Sequence, residues 1–213
     1  MNHSPQKIQG QKIQGPKNQG PRNQGTTRHT ICVFCGSSYG SNPVYAATAK
    51  RLGEGIAQHG YALLFGGGNV GLMGEVARAA TAGGANVKGI LPEFLKHLEP
   101  PLPTKEKVVI TPDLQTRKAM MLSQSDAFVV LPGGLGTLDE YFEVLTSKQL
   151  KVLGKPFVVV NIEGYFDPLL ALLRQITSHG FARPDIHDLQ HIVPSADAAI
   201  ETLNRLLQPQ LQS

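Results

Sequence analysis

Leu131-Pro132-Gly133-Gly134-Leu135-Gly136-Thr137-Leu138-Asp139-Glu140 is the stretch on which the reading of this chain turns. It follows Ala127-Phe128-Val129-Val130, a short β-branched run without charge that reads as a buried strand. It precedes Tyr141-Phe142-Glu143-Val144-Leu145, which reads as a helix start. Strand, glycine turn and helix together point unpaired backbone N–H groups and a positive helix end at an anion. Gly133, Gly134 and Gly136 let the main chain approach a phosphate closely, Thr137 adds a hydroxyl donor, and Glu140 sets a carboxylate beside it. A phosphate cradle with an acid at its edge is the expectation.

Working outward, the pattern of strand, loop and helix repeats from about residue 29. Strands are expected at 30–34, 61–65, 87–91, 107–110, 127–130 and 156–162. Helices are expected from Asn42-Pro43 to Gly60, and at 75–82, 113–124, 166–179 and 196–207. Such alternation implies one Rossmann-like α/β domain over 29–207, a doubly wound parallel sheet with helices on both faces. Ligands of such sheets bind beyond the carboxyl ends of the strands. Two more glycine-containing turns fall there: Cys35-Gly36-Ser37-Ser38 and Gly66-Gly67-Gly68-Asn69-Val70-Gly71-Leu72-Met73-Gly74. Gly36, Ser37, Gly67 and Gly68 therefore join the expected ligand-facing residues.

The charge balance narrows the partners. The formal charge is +4, but five of the 20 basic residues lie in 1–28, leaving 15 against 16 acids. The body is near neutral and gives no electrostatic reason to expect nucleic acid. Residues 1–28 carry an imperfect five-residue repeat, beginning Lys7-Ile8-Gln9-Gly10-Gln11, too poor in apolar groups to offset its ordering entropy. A disordered basic tail is expected there, with a weak nucleic-acid, membrane-surface or targeting role as its alternatives, and a short C-terminal tail at 208–213. Cys32 and Cys35 have the spacing of a redox pair, yet positions three apart on a strand face opposite ways, which favours buried structural thiols. No apolar run reaches membrane-spanning length and no signal sequence is evident, so a cytoplasmic protein without a membrane partner is expected. The seven histidines lack metal-ligand spacing, and neither metal nor cofactor is expected.

The three turns, with Arg117-Lys118 upstream of the last, resemble in order the LOG ("Lonely guy") family of cytokinin riboside 5′-monophosphate phosphoribohydrolases, whose members are often labelled lysine decarboxylases. The resemblance spans about residues 29–207. It implies hydrolysis of the N-glycosidic bond of a purine nucleoside 5′-monophosphate by a homo-oligomer, at least a dimer. The family's catalytic Arg and Glu correspond to Arg117 and Glu140. Its nucleotide contacts correspond to Arg117, Lys118 and the run Gly134, Leu135, Gly136, Thr137, Leu138, Asp139 and Glu140, with Glu99 as a further acid. Read as a helix residue, Asp139 faces away from Glu140. Leu135, Asp139 and Leu114-Gln115 depart from the commoner Tyr, Glu and Met-His, which bears on substrate preference. A lysine decarboxylase would require a Schiff-base lysine, and no motif for one is evident. The alternative from another class is a non-catalytic nucleotide-binding or molybdenum-cofactor carrier protein of related fold.

Overall fold

A computed structural model describes residues 29–96 and 107–208. The basic repeat, Glu99 and residues 209–213 lie outside the described residues. The strands are β1 (Thr30–Phe34), β2 (Ala62–Phe65), β3 (Val87–Pro92), β4 (Lys107–Thr111), β5 (Ala127–Val130), β6 (Phe157–Val160) and β7 (His191–Val193). The helices are α1 (Val44–Gln58), α2 (Gly71–Ala82), α3 (Leu114–Ser123), α4 (Leu135–Gln149), α5 (Asp167–Ser178) and α6 (Ala196–Leu207). All the strand pairs are parallel, in the order β4-β3-β2-β1-β5-β6-β7.

Central strands such as β1, β2, β5 and β6 are apolar without alternation because helices cover both faces. Ile31, Val33 and Cys35 enter one core with residues of α1, α2 and α6. Cys32 and Phe34 enter the other with residues of α3, α4 and α5. The two cysteines are thus buried, without a disulfide, on opposite sides of the sheet, as their spacing suggested. Burial first, and then the Glu140 carboxylate, pushes the Cys32 thiol well above its ordinary range. Tyr141, buried under α4, donates to Gln190 Oε1 at 2.7 Å, and burial pushes its phenol up to about 12.

The chain enters at the middle of the sheet, runs to one edge through β4, then returns beside β1 as β5 and runs to the other edge. The switch point between β1 and β5 opens a crevice at their carboxyl ends. There the Leu131 N–H donates to Phe34 O at 2.9 Å and the Gly36 N–H to Pro132 O at 3.0 Å, tying the first and last glycine turns together.

Three details differ from the sequence expectation. β7 was not anticipated; it has three residues at the sheet edge, with Ile192 40% exposed, too short and too half-wet to show a pattern. α2 begins at Gly71 and α4 at Leu135, earlier than expected at Glu75 and Tyr141, because glycines that punctuate a sequence also fit first helical turns. Pro43 is the N-cap of α1, and Asn42 Oδ1 accepts from the Val44 N–H at 3.0 Å. No described helix is long and apolar enough to cross a membrane.

Candidate active site

Two neighbouring cavities lie over the switch point and share Gly36, Ser37 and Gly134 as a dividing ridge. The larger, about 340 Å³, holds the ionisable chemistry: Arg117 and Glu140 face it with Thr137, Gly136, Cys35 and Met73, and Phe94, Leu95, Leu114 and Leu135 form an apolar rim. Its volume lies within the range of small-molecule sites, about 300–1,000 Å³. The smaller, about 280 Å³, is lined by Ser38, Tyr39, Tyr45, Tyr165 and Gly133 and has no charged side chain in its wall. Among the described residues no lysine lines either cavity and no cluster of three metal-ligating side chains occurs.

Each member of the charged pair arrives on its own helix. Asp113 caps α3, its Oδ1 accepting from the Thr116 N–H at 2.6 Å, and that contact holds the exposed carboxyl below its ordinary range. Arg117 follows within the first turn and a half of α3, and Glu140 within that of α4. Arg117 Nη2 meets Glu140 Oε1 at 3.0 Å, with both side chains close to nine-tenths buried. The buried Arg117 Nε donates to no group among the described residues. Gly66 leaves room for the guanidinium, since a Cβ there would meet Arg117 Nη2 at 2.5 Å and Met73 Sδ at 2.8 Å. Sequence reasoning did not assign that role to Gly66, because only the fold stacks it under Arg117.

The start of α4 supplies the second element. Its N-cap is Gly134 and no side chain caps it. The main-chain N–H groups of Gly134, Leu135, Gly136 and Thr137 donate to no group among the described residues, the first helical bond being Leu138 N–H to Gly134 O at 3.1 Å. A Cβ added at Gly134 or Gly136 would meet nothing within 4 Å, and neither residue has a positive φ. Nothing among the described residues therefore requires glycine at either place, and both leave the α4 amides open to the cavity. Gly133 differs, since Thr137 Oγ1 and the Gly36 N–H leave no room for a side chain.

Other residues expected at the site fall elsewhere. Lys118 turns from the larger cavity to Asp139 Oδ2 at 3.1 Å and Glu143 Oε2 at 3.0 Å, contacts that raise its pKa despite the opposing effect of burial. Asp139 accordingly faces away from Glu140, and Leu138 packs on the α3–α5 core. Gly67, with φ +85°, lies against β3, and neither it nor Gly68 is among the described residues that line these two cavities. The amides opening α2 are occupied, those of Leu72 and Met73 both donating to Gly36 O, at 3.0 and 3.2 Å.

Comparison with known proteins agrees with this geometry. Residues 73–203 match the family model described as "Possible lysine decarboxylase". The chain is 42% identical over 178 residues to "Probable cytokinin riboside 5'-monophosphate phosphoribohydrolase LOGL1" of Oryza sativa subsp. japonica, covering 84% of this chain and 78% of that protein. It is 40% identical over 176 residues to "Cytokinin riboside 5'-monophosphate phosphoribohydrolase LOG1" of Arabidopsis thaliana, covering 83% and 80%. Among solved structures, the molybdenum cofactor binding protein of Rippkaea orientalis superposes with a TM-score of 0.66 at 24% identity, over 84% of this chain and 98% of that one. The latter likeness is one of fold, whereas the sequence relationships reach about 40% identity over more than four-fifths of this chain. The chain belongs to the LOG family of phosphoribohydrolases.

Proposed function

We propose that this protein hydrolyses the N-glycosidic bond of adenosine 5′-monophosphate or its N6-substituted, cytokinin-type derivatives, releasing free base and ribose 5-phosphate. The observation that carries the reading is the convergence on one cavity of uncapped α4 amides and a buried Arg117–Glu140 pair. The Gly134, Gly136 and Thr137 N–H groups hold the 5′-phosphate at the positive end of α4. The ribose then lies beside Glu140, and the base lies toward Phe94, Leu95 and Leu114.

As the C1′–N bond lengthens, its electrons move to the base nitrogen and positive charge develops on the ribose. The Glu140 carboxylate stabilises that charge and accepts a proton from the water whose oxygen bonds to C1′. The departing base nitrogen takes up one proton from solvent and Glu140 returns one to solvent, so that the water supplies the hydroxyl of ribose 5-phosphate and the balance of protons closes. Arg117 orients Glu140 through Nη2 and turns its positive charge to the cavity. As a permanent cation it suits anchoring better than proton transfer. Lys118 fixes α3 against α4 through Asp139 and Glu143, and so acts on the substrate through Arg117. A homo-oligomer, at least a dimer, and a cytoplasmic location belong to the same reading, and light scattering of the purified chain tests the first.

The direct test is incubation with AMP and with isopentenyladenosine 5′-monophosphate, following free base by chromatography beside Glu140→Gln. Base release should fall by about 10²–10⁴-fold in the variant. Tight binding of both nucleotides by the wild-type protein with no base released would favour a carrier over an enzyme.

A further inference from the structure

The turn after β6 is built with more care than a connection requires, and it ends on the catalytic glycine turn. Asn161 leaves the sheet with its N–H on Val193 O at 2.8 Å. Its side chain then closes the turn, Oδ1 accepting from the Phe166 N–H and Nδ2 donating to Asp167 Oδ1, both at 2.7 Å. Between them Glu163 and Gly164 adopt left-handed φ values of 52° and 68°, an unfavourable conformation for the glutamate. Phe166 anchors the turn in the core, 1% exposed. The residue presented by this frame is Tyr165, whose hydroxyl donates to Gly133 O at 2.6 Å. Its ring leans edge-on against Tyr45 at 5.6 Å, and it is 38% exposed, so core packing does not account for it.

Gly133 and Gly134 flank a peptide unit that no side chain restrains, and in a trans peptide the C=O and N–H point in opposite directions. The described chain contains no cis peptide. By holding the Gly133 carbonyl on the side of the smaller cavity, Tyr165 turns the Gly134 N–H the other way, and Gly134 is a residue common to both cavities. Flipped, the same peptide would present a carbonyl oxygen where an anion is to sit.

We propose that Tyr165 is a positioning residue for the phosphate cradle: its hydroxyl fixes the orientation of the Gly133–Gly134 peptide and so keeps the Gly134 N–H available to the 5′-phosphate. The inference rests on the phosphoribohydrolase reading above and adds a residue that touches neither the reacting bond nor, directly, the phosphate.

Tyr165→Phe removes the hydroxyl and leaves the ring, so the fold should persist. In the full-length protein, KM for AMP should rise about tenfold, the order of one lost hydrogen bond to a charged group, with kcat nearly unchanged. Inorganic phosphate, titrated calorimetrically against both proteins, should lose affinity by the same factor, while any slow hydrolysis of adenosine stays the same. Unchanged phosphate affinity with unchanged KM overturns the proposal. So does a fall in kcat and Tm with unchanged phosphate affinity, which would make the ring a structural support. The calorimetric arm needs no turnover: a wild-type protein that binds phosphate but releases no base defeats the hydrolase reading, while the phosphate affinities of the two proteins still decide on Tyr165.

Discussion

The turns after β2 and β5 look alike in sequence, each a glycine run between a strand and a helix, and they are used in opposite ways. After β2, glycines let the chain fit the protein to itself. Gly71 has φ +61° and its Cβ direction is filled by the main chain of Ser37 and Ser38, while the first amides of α2 end on Gly36 O. After β5, Gly134 and Gly136 face open space, and the first amides of α4 are left without protein partners among the described residues. A glycine that the fold needs and a glycine that a ligand needs are told apart by what a Cβ would strike. The difference also explains the placement of the charged pair: the occupied turn supports Arg117 from below through Gly66, and the open turn carries Glu140.

Substitutions at the two turns should therefore separate stability from activity. Gly71→Ala combines a left-handed conformation with a collision against backbone, and should destabilise the fold by about 2–5 kcal/mol, read by denaturant titration. A stable, active Gly71→Ala protein would break the contrast. Gly136→Ala should do the reverse. Its Cβ meets no protein atom, so thermal stability should hold or gain up to about 1 kcal/mol. KM for AMP should nonetheless rise about tenfold or more as the methyl keeps phosphate from the amides. A Gly136→Ala enzyme with wild-type KM would mean that the α4 amides do not bind substrate.

The smallest effect lies away from both turns and guards the pH profile. His191 in β7 has its pKa lowered by burial and then by the charges of Arg205 and Lys148. The unfolded chain therefore takes up that proton first as pH falls. Stability is full above the ordinary value of about 6.5 and declines below it toward the lower folded value. His191→Gln should show a smaller loss of Tm between about pH 7 and about pH 5 than the wild type. An acid limb of activity that follows this shift in Tm reports unfolding, and one that does not reports chemistry in the larger cavity.

Much of the site was legible because its groups carry local signatures. Pro132-Gly133-Gly134, then Thr137 and Glu140, announce a helix start open to an anion, whereas it was the family resemblance that set Arg117 beside Glu140. What misled was reading neighbours in sequence as neighbours in function. Arg117 and Lys118 are adjacent, yet the rotation of about 100° per residue along α3 sends them to different partners, Glu140 and the Asp139–Glu143 pair. Gly67 and Gly68 resemble Gly134 and Gly136 in composition, but the backbone of β3 occupies the space beside Gly67. Tyr165 had no motif at all, since its link to Gly133 spans 32 residues.

By itself the sequence determined the parallel α/β architecture, the strand-end placement of the glycine turns and the burial of Cys32 and Cys35. Those properties follow from residue type and short-range periodicity, which the local chain expresses wherever it folds. Only the tertiary structure decided which amides remain unpaired, which glycines face a cavity and which tyrosine holds the Gly133 carbonyl. Those depend on what packs against each turn from strands far away in sequence, because a hydrogen-bonding group is open or occupied only with respect to its neighbours in space.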